Sequence, residues 1–196
     1  MIRKFGLVLV CLAAVFLAAC GGGSSGGGAV TLDQTFDADG LSFKYPSGWV
    51  TEATGDGGPV YLANSQAALD AAKASTSTLN LAAGQQAVVI FPIPAELASA
   101  MGGTTLIDLL KTMSQSIAGT EGAPTFGEPT EATIGGKTGA RMAGTSDSAD
   151  AQIIMLNLGD SGYLMVFGVT PKGDISKLEP VLNGIAEGAN LTAATG

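Results

Sequence analysis

The side chains that most often carry out chemistry in proteins are scarce in this sequence. It contains no histidine, and its only cysteines are Cys11 and Cys20. Histidine is the usual general base near neutral pH and a common metal ligand, so other groups would have to fill both roles. The remaining combinations are a serine or threonine with a lysine, or a pair of carboxylates whose members can be far apart in the sequence.

Three short motifs match parts of known catalytic sites without the residues that complete them. Gly159–Gly162 reads Gly-Asp-Ser-Gly, as around a trypsin-like nucleophile, which needs a histidine to accept the serine proton. Gly136–Thr138 matches the end of a P-loop, but Glu131 stands where that pattern requires glycine. Lys137–Gly139 matches one box of penicillin-binding enzymes, and their Ser-x-x-Lys box is absent from the sequence. We predict no catalytic residue and no enzyme activity, and interpret these motifs as turns between strands.

One acidic cluster has the residue types that hold a hard cation. It comprises Asp33, Asp37 and Asp39, and Asp39 is followed by a glycine, as in a calcium loop. A calcium loop of the EF-hand type also needs a glutamate at its twelfth position, and counting from Asp37 that position is Gly48. A solvated turn is therefore favoured. Asp37 and Asp39 remain the candidate metal ligands, and we predict no cofactor.

The segment Leu17–Cys20 indicates where the protein works. Arg3 and Lys4 precede an apolar run, Phe5–Ala19, that is shorter than the roughly 20 residues of a membrane-spanning helix. The sequence Leu-Ala-Ala-Cys then resembles the lipobox of bacterial lipoproteins, in which the cysteine sulfur receives a diacylglycerol and the cysteine becomes the new N-terminus. The resemblance implies lipid attachment at Cys20 and a lasting anchor in the cell membrane, on its extracytoplasmic face.

The same segment divides the chain into three parts. We expect a signal peptide at 1–19, a lipidated Cys20 with a Gly/Ser tether at 20–29, and one domain at 30–192. The tether would reach roughly 15–18 Å at about 5–6 Å × √n. The domain has no cysteine, so it must fold without a disulfide.

The charge of the chain is acidic. It has 9 basic and 17 acidic residues, a net charge of −8. Without Arg3 and Lys4 the net charge becomes −10, because all the acidic residues follow residue 19. A nucleic-acid partner is excluded, since it needs a basic face, and so is flat binding to anionic lipid. The charge is typical of a protein that must stay soluble at a crowded membrane surface.

Periodicity predicts an α+β domain. Strands are expected at 30–36, 41–45, 60–62 and 87–93, with hairpins pairing 131–134 with 137–141 and 152–158 with 163–169. Helices are expected at 105–117 and 176–189, with weaker patterns at 66–74 and 96–101. Thr105 with Asp108, and Ser176 with Glu179, have the spacing of capping boxes, and Pro180 would fall in the first turn of the last helix. Trp49, the only tryptophan, is expected to be a buried core anchor.

Two motifs resemble a known family. The segment Gly40–Trp49, with Tyr45, Pro46 and Gly48, is similar to the opening hairpin of PsbP-like proteins in the Mog1/PsbP/LpqN/DcrB-like superfamily. The stretch Ile134–Arg141 resembles a second motif of the same superfamily. The resemblance implies an α/β/α sandwich, an antiparallel β-sheet flanked by helices, and a role as an accessory or assembly factor.

Three functions are compatible with these features. The first is a non-catalytic lipoprotein that binds or supports a protein partner or membrane complex at the membrane surface. The second is a lipoprotein that binds a small ligand or a cation through loops at 37–39 or 55–59. The third, which we favour least, is a hydrolase that uses a serine with a lysine, or a carboxylate pair. An exposed apolar patch in the fold favours the first, and a pocket with converging polar groups favours the second.

Overall fold

The predicted α+β class is confirmed by the structure, a computed structural model that describes residues 30–74, 81–101, 105–118 and 122–192. Within these residues a large antiparallel sheet has helices on both faces. The signal segment 1–19, Cys20 and the rest of the tether lie outside the described residues.

In the large sheet the strands are short at the edges and long in the centre. They are β1 (Leu32–Ala38), β2 (Leu41–Pro46), β3 (Val50–Ala53), β4 (Val60–Ala63), β5 (Ala87–Ile93), β6 (Thr125–Phe126), β7 (Thr130–Ile134), β8 (Lys137–Thr145), β9 (Ala149–Asn157), β10 (Tyr163–Pro171) and β11 (Asn190–Leu191). The helices are α1 (Gln66–Ala74), α2 (Ala95–Ala100), α3 (Leu106–Ala118) and α4 (Ile175–Gly188).

The large sheet is built around the β9–β10 hairpin. Its strand order is β3-β4-β5-β10-β9-β8-β6, and β7 pairs with β8 as well. The pairing of β9 and β10 is regular from Asn157 opposite Tyr163 to Ala149 opposite Pro171. Both strands are apolar on both faces, as expected for strands covered on each side. The prediction that they are central is confirmed.

One face of the large sheet packs against α4. Leu178, Leu182 and Ile185 of this helix are fully buried in the same cluster as Ile154 and Val166 of the two central strands. Gly168 lets the helix approach β10 closely, because a Cβ added there would lie 2.6 Å from Cδ2 of Leu182. This is one of the positions where the fold requires the absence of a side chain.

The opposite face carries the other three helices. The helix α1 packs over β3, β4 and β5, and α3 packs over β8 and β9. Leu109 and Leu110 of α3 form a core with Met142, Ile153 and Met155. The short helix α2 contributes the buried Ala98 to the same core.

The first hairpin forms a separate small sheet, which the sequence did not indicate. Its strand order is β1-β2-β11, so the last strand of the described chain pairs with the second. The turn at Asp39 and Gly40 has positive φ at both residues, as in the type I′ turn that suits a two-residue hairpin. Phe43 of β2 is buried against the α4 cluster, and its ring stacks on that of Phe36 at a centroid distance of 4.9 Å.

The two predicted capping boxes had different outcomes. At α3 the prediction is confirmed: the backbone N–H of Asp108 donates to Oγ1 of Thr105 at 3.1 Å. At α4 it is wrong, because the helix begins at Ile175 with Asp174 as its N-cap residue and without a side-chain cap hydrogen bond. Pro180 consequently lies in the second turn, where its ring nitrogen cannot donate to the carbonyl four residues earlier.

Trp49 is less buried than predicted. It packs against the α4 cluster from the start of β3 but stays partly exposed to solvent. Its backbone N–H donates to the carbonyl of Pro46 at 3.4 Å, which closes the turn between β2 and β3. The residue lies at a turn between the two sheets, and this position leaves one side of the indole open.

The close contact between α4 and β10 makes Gly168 a sensitive position. We expect Gly168→Ala to lower the free energy of unfolding by about 1–3 kcal/mol, because the added methyl group would overpack against the buried Leu178 and Leu182. Gly188→Ala is the matched control, since a Cβ there would meet nothing within 4 Å. Urea unfolding of the full chain measures both, and equal stability of the two variants would contradict the packing described here.

Candidate functional site

The loops named from the sequence as ligand-binding candidates come together at one end of the large sheet. Asp39 of the first hairpin and Gly57 of the β3–β4 loop line one cleft of about 290 Å³. Glu96 of α2 and the turn residues Asp160 and Ser161 line it as well. We call this the acidic cleft, because three carboxylates contribute to its wall.

Backbone geometry fixes the position of the β9–β10 turn in this cleft. Gly162 adopts a φ of 97°, and a Cβ added to it would lie 2.5 Å from the carbonyl oxygen of Ile93. Only glycine fits such a position without strain. The Gly-Asp-Ser-Gly motif is therefore a turn that packs against the β5–α2 connection. The sequence analysis had predicted a turn here.

The two candidate metal ligands both lie on the first hairpin. Asp37 lies on β1 opposite Ser42, and Asp39 lies in the hairpin turn; both side chains are exposed. Among the described residues, no group of three or more Asp, Glu, His or Cys side chains is placed to hold a metal ion. The acidic cleft can therefore attract cations through its net negative charge, but it does not present a formed coordination site.

The second candidate motif, around Lys137, has a structural role. Its Nζ donates to the carbonyl oxygen of Glu187 at 2.6 Å and, at 3.4 Å, to that of Ala186. These carbonyls belong to the last turn of α4, where a cation interacts favourably with the helix dipole. A phosphate-binding loop would require the segment to lead into a helix, whereas Lys137 begins strand β8.

Three other lysines form ion pairs at the surface. Lys73 pairs with Glu52, Lys111 with Glu128 and Lys177 with Asp174. Exposed pairs of this kind contribute about 0–1 kcal/mol each. The ammonium groups of these three side chains are therefore engaged with carboxylates rather than with a serine or threonine hydroxyl.

A second cleft, of about 430 Å³, lies beside the start of α3. Its polar lining comes from Thr105, Glu131, Thr133, Thr138 and Asn157, and Tyr163 is also part of its wall. Hydroxyl and amide groups predominate, so the cleft has hydrogen-bonding capacity but only one ionisable carboxylate. The sequence analysis did not identify it, because its residues come from five separate elements.

An exposed apolar surface lies between the helices on one face of the large sheet. We call it the aromatic patch: Tyr61, Val89, Phe91 and Phe167. The strand register places Val89 opposite both Tyr61 and Phe167, so these three side chains share one face, and Phe91 follows on the same face of β5. Phe91 is 37% exposed, and the other three are partly exposed. The sequence could not reveal this patch, because apolar residues in strands predict burial.

The carboxyl of Asp150 has a pKa clearly below its ordinary value. Its Oδ2 accepts a hydrogen bond from the backbone N–H of Gly173 at 2.7 Å, and its Oδ1 accepts one from Oγ1 of Thr145 at 2.7 Å. The hydrogen bond from Gly173 lowers the pKa of Asp150 most, followed by the one from Thr145, and the nearby charge of Lys172 also lowers it. Burial has the opposite effect and raises this pKa. The carboxylate holds β9 to the turn that leads into α4, which is a structural role.

Comparison with known proteins gives similarities of fold. No family model matches the chain, and no curated protein matches it. The structure is similar to cyanobacterial PsbP (CyanoP) from Synechocystis sp. PCC 6803, with a TM-score of 0.49 and 16% identity over 87% of this chain and 98% of that one. It is also similar to LpqN of Mycobacterium tuberculosis, described as involved in cell envelope biogenesis, with a TM-score of 0.42 and 11% identity over 78% and 83% of the two chains.

A third similar structure is a Pseudomonas aeruginosa protein of unknown function, with a TM-score of 0.46 and 9% identity over 79% of this chain and 93% of that one. A PsbP protein and LpqN are thus among the similar structures. Across the described residues, none of the helices has the length and apolar character needed to span a membrane.

The lowered pKa of Asp150 predicts a specific acid sensitivity. A carboxyl whose pKa is lowered by folding stabilises the fold above its ordinary value of 3.8, and this contribution disappears as the pH falls through the lower folded value. We expect Asp150→Asn to lower Tm at pH 7, with a difference from wild type that shrinks below pH 3.8. Exposed Asp33→Asn is the control. A Tm difference that stays constant down to pH 2 would contradict this assignment.

Proposed function

We propose that this protein is a lipid-anchored, non-catalytic protein that binds a protein partner at the extracytoplasmic surface of the cell membrane. The anchor is the diacylglycerol on Cys20, and the segment 20–29 is the tether that joins it to the folded domain. The sequence pattern of Arg3 to Cys20 supports the anchor. The aromatic patch is the single structural observation that supports the partner.

The patch has the composition of a protein-binding surface. Aromatic side chains are enriched at interfaces, because they bury a large apolar area with few rotatable bonds. Here two phenylalanines and a tyrosine lie side by side on rigid strands rather than on loops. Helices α1 and α3 pack on either side of this strip of the sheet and leave it uncovered. A rigid apolar surface of this kind can bind a partner with little loss of conformational entropy.

The charge of the protein specifies the chemistry of the partner. The chain from Cys20 onward carries a net charge of −10, so the surface around the patch lies in a negative field. A complementary partner has an apolar centre and a rim of lysine and arginine. Such complementarity increases the rate of association and discriminates against acidic competitors.

Four of the six lysines of the described chain are engaged away from serine and threonine hydroxyls. Lys73, Lys111 and Lys177 are paired with carboxylates, and Lys137 binds the end of α4. The other two are Lys44 and Lys172, and Lys172 lines a shallow cleft with Ser146 and Ser148. A serine nucleophile activated by lysine needs the two side chains within hydrogen-bond reach. The acidic cleft supports the second candidate function, binding of a small cationic ligand, because Asp39 and the 55–59 loop meet there.

The anchor is tested by changing the proposed lipid-attachment residue. We expect Cys20→Ser to move the protein from the membrane fraction to the soluble fraction, because the sulfur that would carry the lipid is removed. Fractionation of cells followed by mass spectrometry of the mature N-terminus measures this. An unmodified Cys20 in the wild-type protein, or cleavage at another residue, would contradict the proposal.

The partner surface is tested by photo-cross-linking from the patch. With a photoreactive residue in place of Phe91 in the anchored chain, we expect one membrane or envelope protein to cross-link through an apolar peptide flanked by lysine or arginine. Phe91→Lys should reduce co-purification of that protein at least tenfold, because it places a charge in the apolar contact. Val30→Lys is the control, since Val30 is similarly exposed but precedes β1, in the small sheet. An equal loss of co-purification in Phe91→Lys and Val30→Lys would contradict the patch as the interface.

A further inference from the structure

Arg141 is an arginine without a counter-ion in an acidic protein. The sequence contains two arginines, Arg3 in the signal segment and Arg141 in β8, against 17 acidic residues. The ion pairs among the described residues involve lysines, and none includes Arg141. An unpaired guanidinium is unexpected in such a chain, because arginine is the residue best suited to bidentate pairing with a carboxylate.

The guanidinium of Arg141 is partly withdrawn from solvent. Its Nε is buried and has no hydrogen-bond partner, and Nη2 donates one long bond, 3.4 Å, to Oδ1 of Asn183 in α4. The residue as a whole is partly exposed, so the outer side of the group remains within reach of solvent. A cation that is desolvated on one side and not neutralised destabilises the fold, unless an anion completes its environment.

Two further polar side chains lie unpartnered on the same face of the sheet. Arg141 lies opposite Ile154, and Gln152 is the next residue of β9 on that face. Gln152 is only 6% exposed, and its Oε1 has no hydrogen-bond partner; Oγ1 of the fully buried Thr170, on the neighbouring strand, has none either. Both side chains can also donate, Gln152 through its amide nitrogen and Thr170 through its hydroxyl. This row of polar groups lies on the face of the sheet that α4 covers, in a cluster otherwise made of apolar side chains.

The neighbours of Arg141 on this face of β8 and β7 are exposed to solvent. Ala143 and Thr145, which follow on the same face of β8, are exposed, and Thr130, opposite Arg141 on β7, is exposed as well. The helix α4 contacts β10, β9, β2 and β7, and Arg141 lies beside it, bonded to Asn183. Arg141 thus stands at the border between the helix and an exposed strip of small side chains.

We propose that Arg141 binds a small oxyanion, a carboxylate or a phosphate group, on the β8 side of α4. The guanidinium supplies the charge and a forked pair of donors, and the amide nitrogen of Asn183, whose Oδ1 accepts from Nη2, can add a further donor. This site lies on the opposite face of the large sheet from the aromatic patch, so it is independent of the proposed protein partner. A ligand here would neutralise a guanidinium that makes no ion pair with the described residues.

The strongest alternative is that Glu179 provides the missing charge from within the chain. It lies one helical turn before Asn183 on α4, and its side chain is exposed. It makes no ion pair with Arg141 in the structure. The experiment must therefore distinguish a ligand from a surface pair with Glu179.

The scarcity of arginine provides a direct probe. The unprocessed chain of residues 1–196, in detergent, has two arginine Nε–Hε NMR signals, and Arg141→Lys identifies the one from Arg141. We titrate sodium phosphate and, separately, sodium acetate at constant ionic strength maintained with sodium chloride. We expect a saturable shift of the Arg141 signal at millimolar phosphate, acetate or both, with the Arg3 signal unmoved. A response to phosphate alone identifies a phosphate ligand, and a response to acetate identifies a carboxylate.

Variants provide the controls. Arg141→Met keeps much of the apolar stem of the side chain, and it should abolish the rise in Tm that the anion causes in the wild-type protein. In the control Lys172→Met, a change at an exposed residue, the rise in Tm should stay within twofold of the wild-type rise. Before any anion is added, the Arg141 signal of Glu179→Gln should have the same chemical shift as that of the wild-type protein. The proposal is overturned if neither anion gives a saturable shift beyond that of chloride. It is also overturned if Glu179→Gln alone moves the signal and lowers Tm as much as Arg141→Met does.

Discussion

The burial of α4 between two sheets is the interaction on which the rest of this structure depends. The helix contacts β10 and β9 of the large sheet on one side and β2 of the small sheet on another. Leu178, Val181, Leu182 and Ile185 are buried in a cluster that includes strands from both sheets. A helix with so wide an apolar surface cannot be covered by one sheet alone, so the first hairpin has to pack away from the large sheet. Lys137 at the end of α4 and Asp150 near its start attach both of its ends to the large sheet.

Local patterns in the sequence predicted the parts of this fold that local interactions determine. The α3 helix has a threonine cap and an apolar stripe at a spacing of three and four residues, and both features act within the segment itself. The β9–β10 hairpin could be predicted because its two apolar strands flank one glycine-rich turn. The start of α4 was missed because Asp174 and Ser176 both have the residue types of a helix cap. The chain continues the helix through Ser176 because Leu178 and Val181 are held in the core.

The features of the candidate sites depend on long-range contacts that a sequence does not display. The acidic cleft combines residues from the first hairpin, α2 and the β9–β10 turn. The sequence identified Asp39 and the 55–59 loop separately, without indicating that they share one wall. The aromatic patch is exposed only because α1 and α3 pack to either side of it, and its strands have the apolar pattern of a fully covered sheet. The partial exposure of Trp49 has a similar cause, since the turn it follows lies between two sheets rather than within one.

The position of β1 has a mechanical consequence. This strand is at the edge of the small sheet, and the proposed tether would lead into its Leu32 end, the end of the hairpin away from the Asp39–Gly40 turn. A pull on the tether would therefore load the backbone hydrogen bonds between β1 and β2 one at a time, as in unzipping, rather than all together. Most side chains of β1 are exposed, whereas β2 is held by α4 and β11. Under tension β1 would detach first, and each detached residue would lengthen the tether by about 3.3 Å. The large sheet would stay folded.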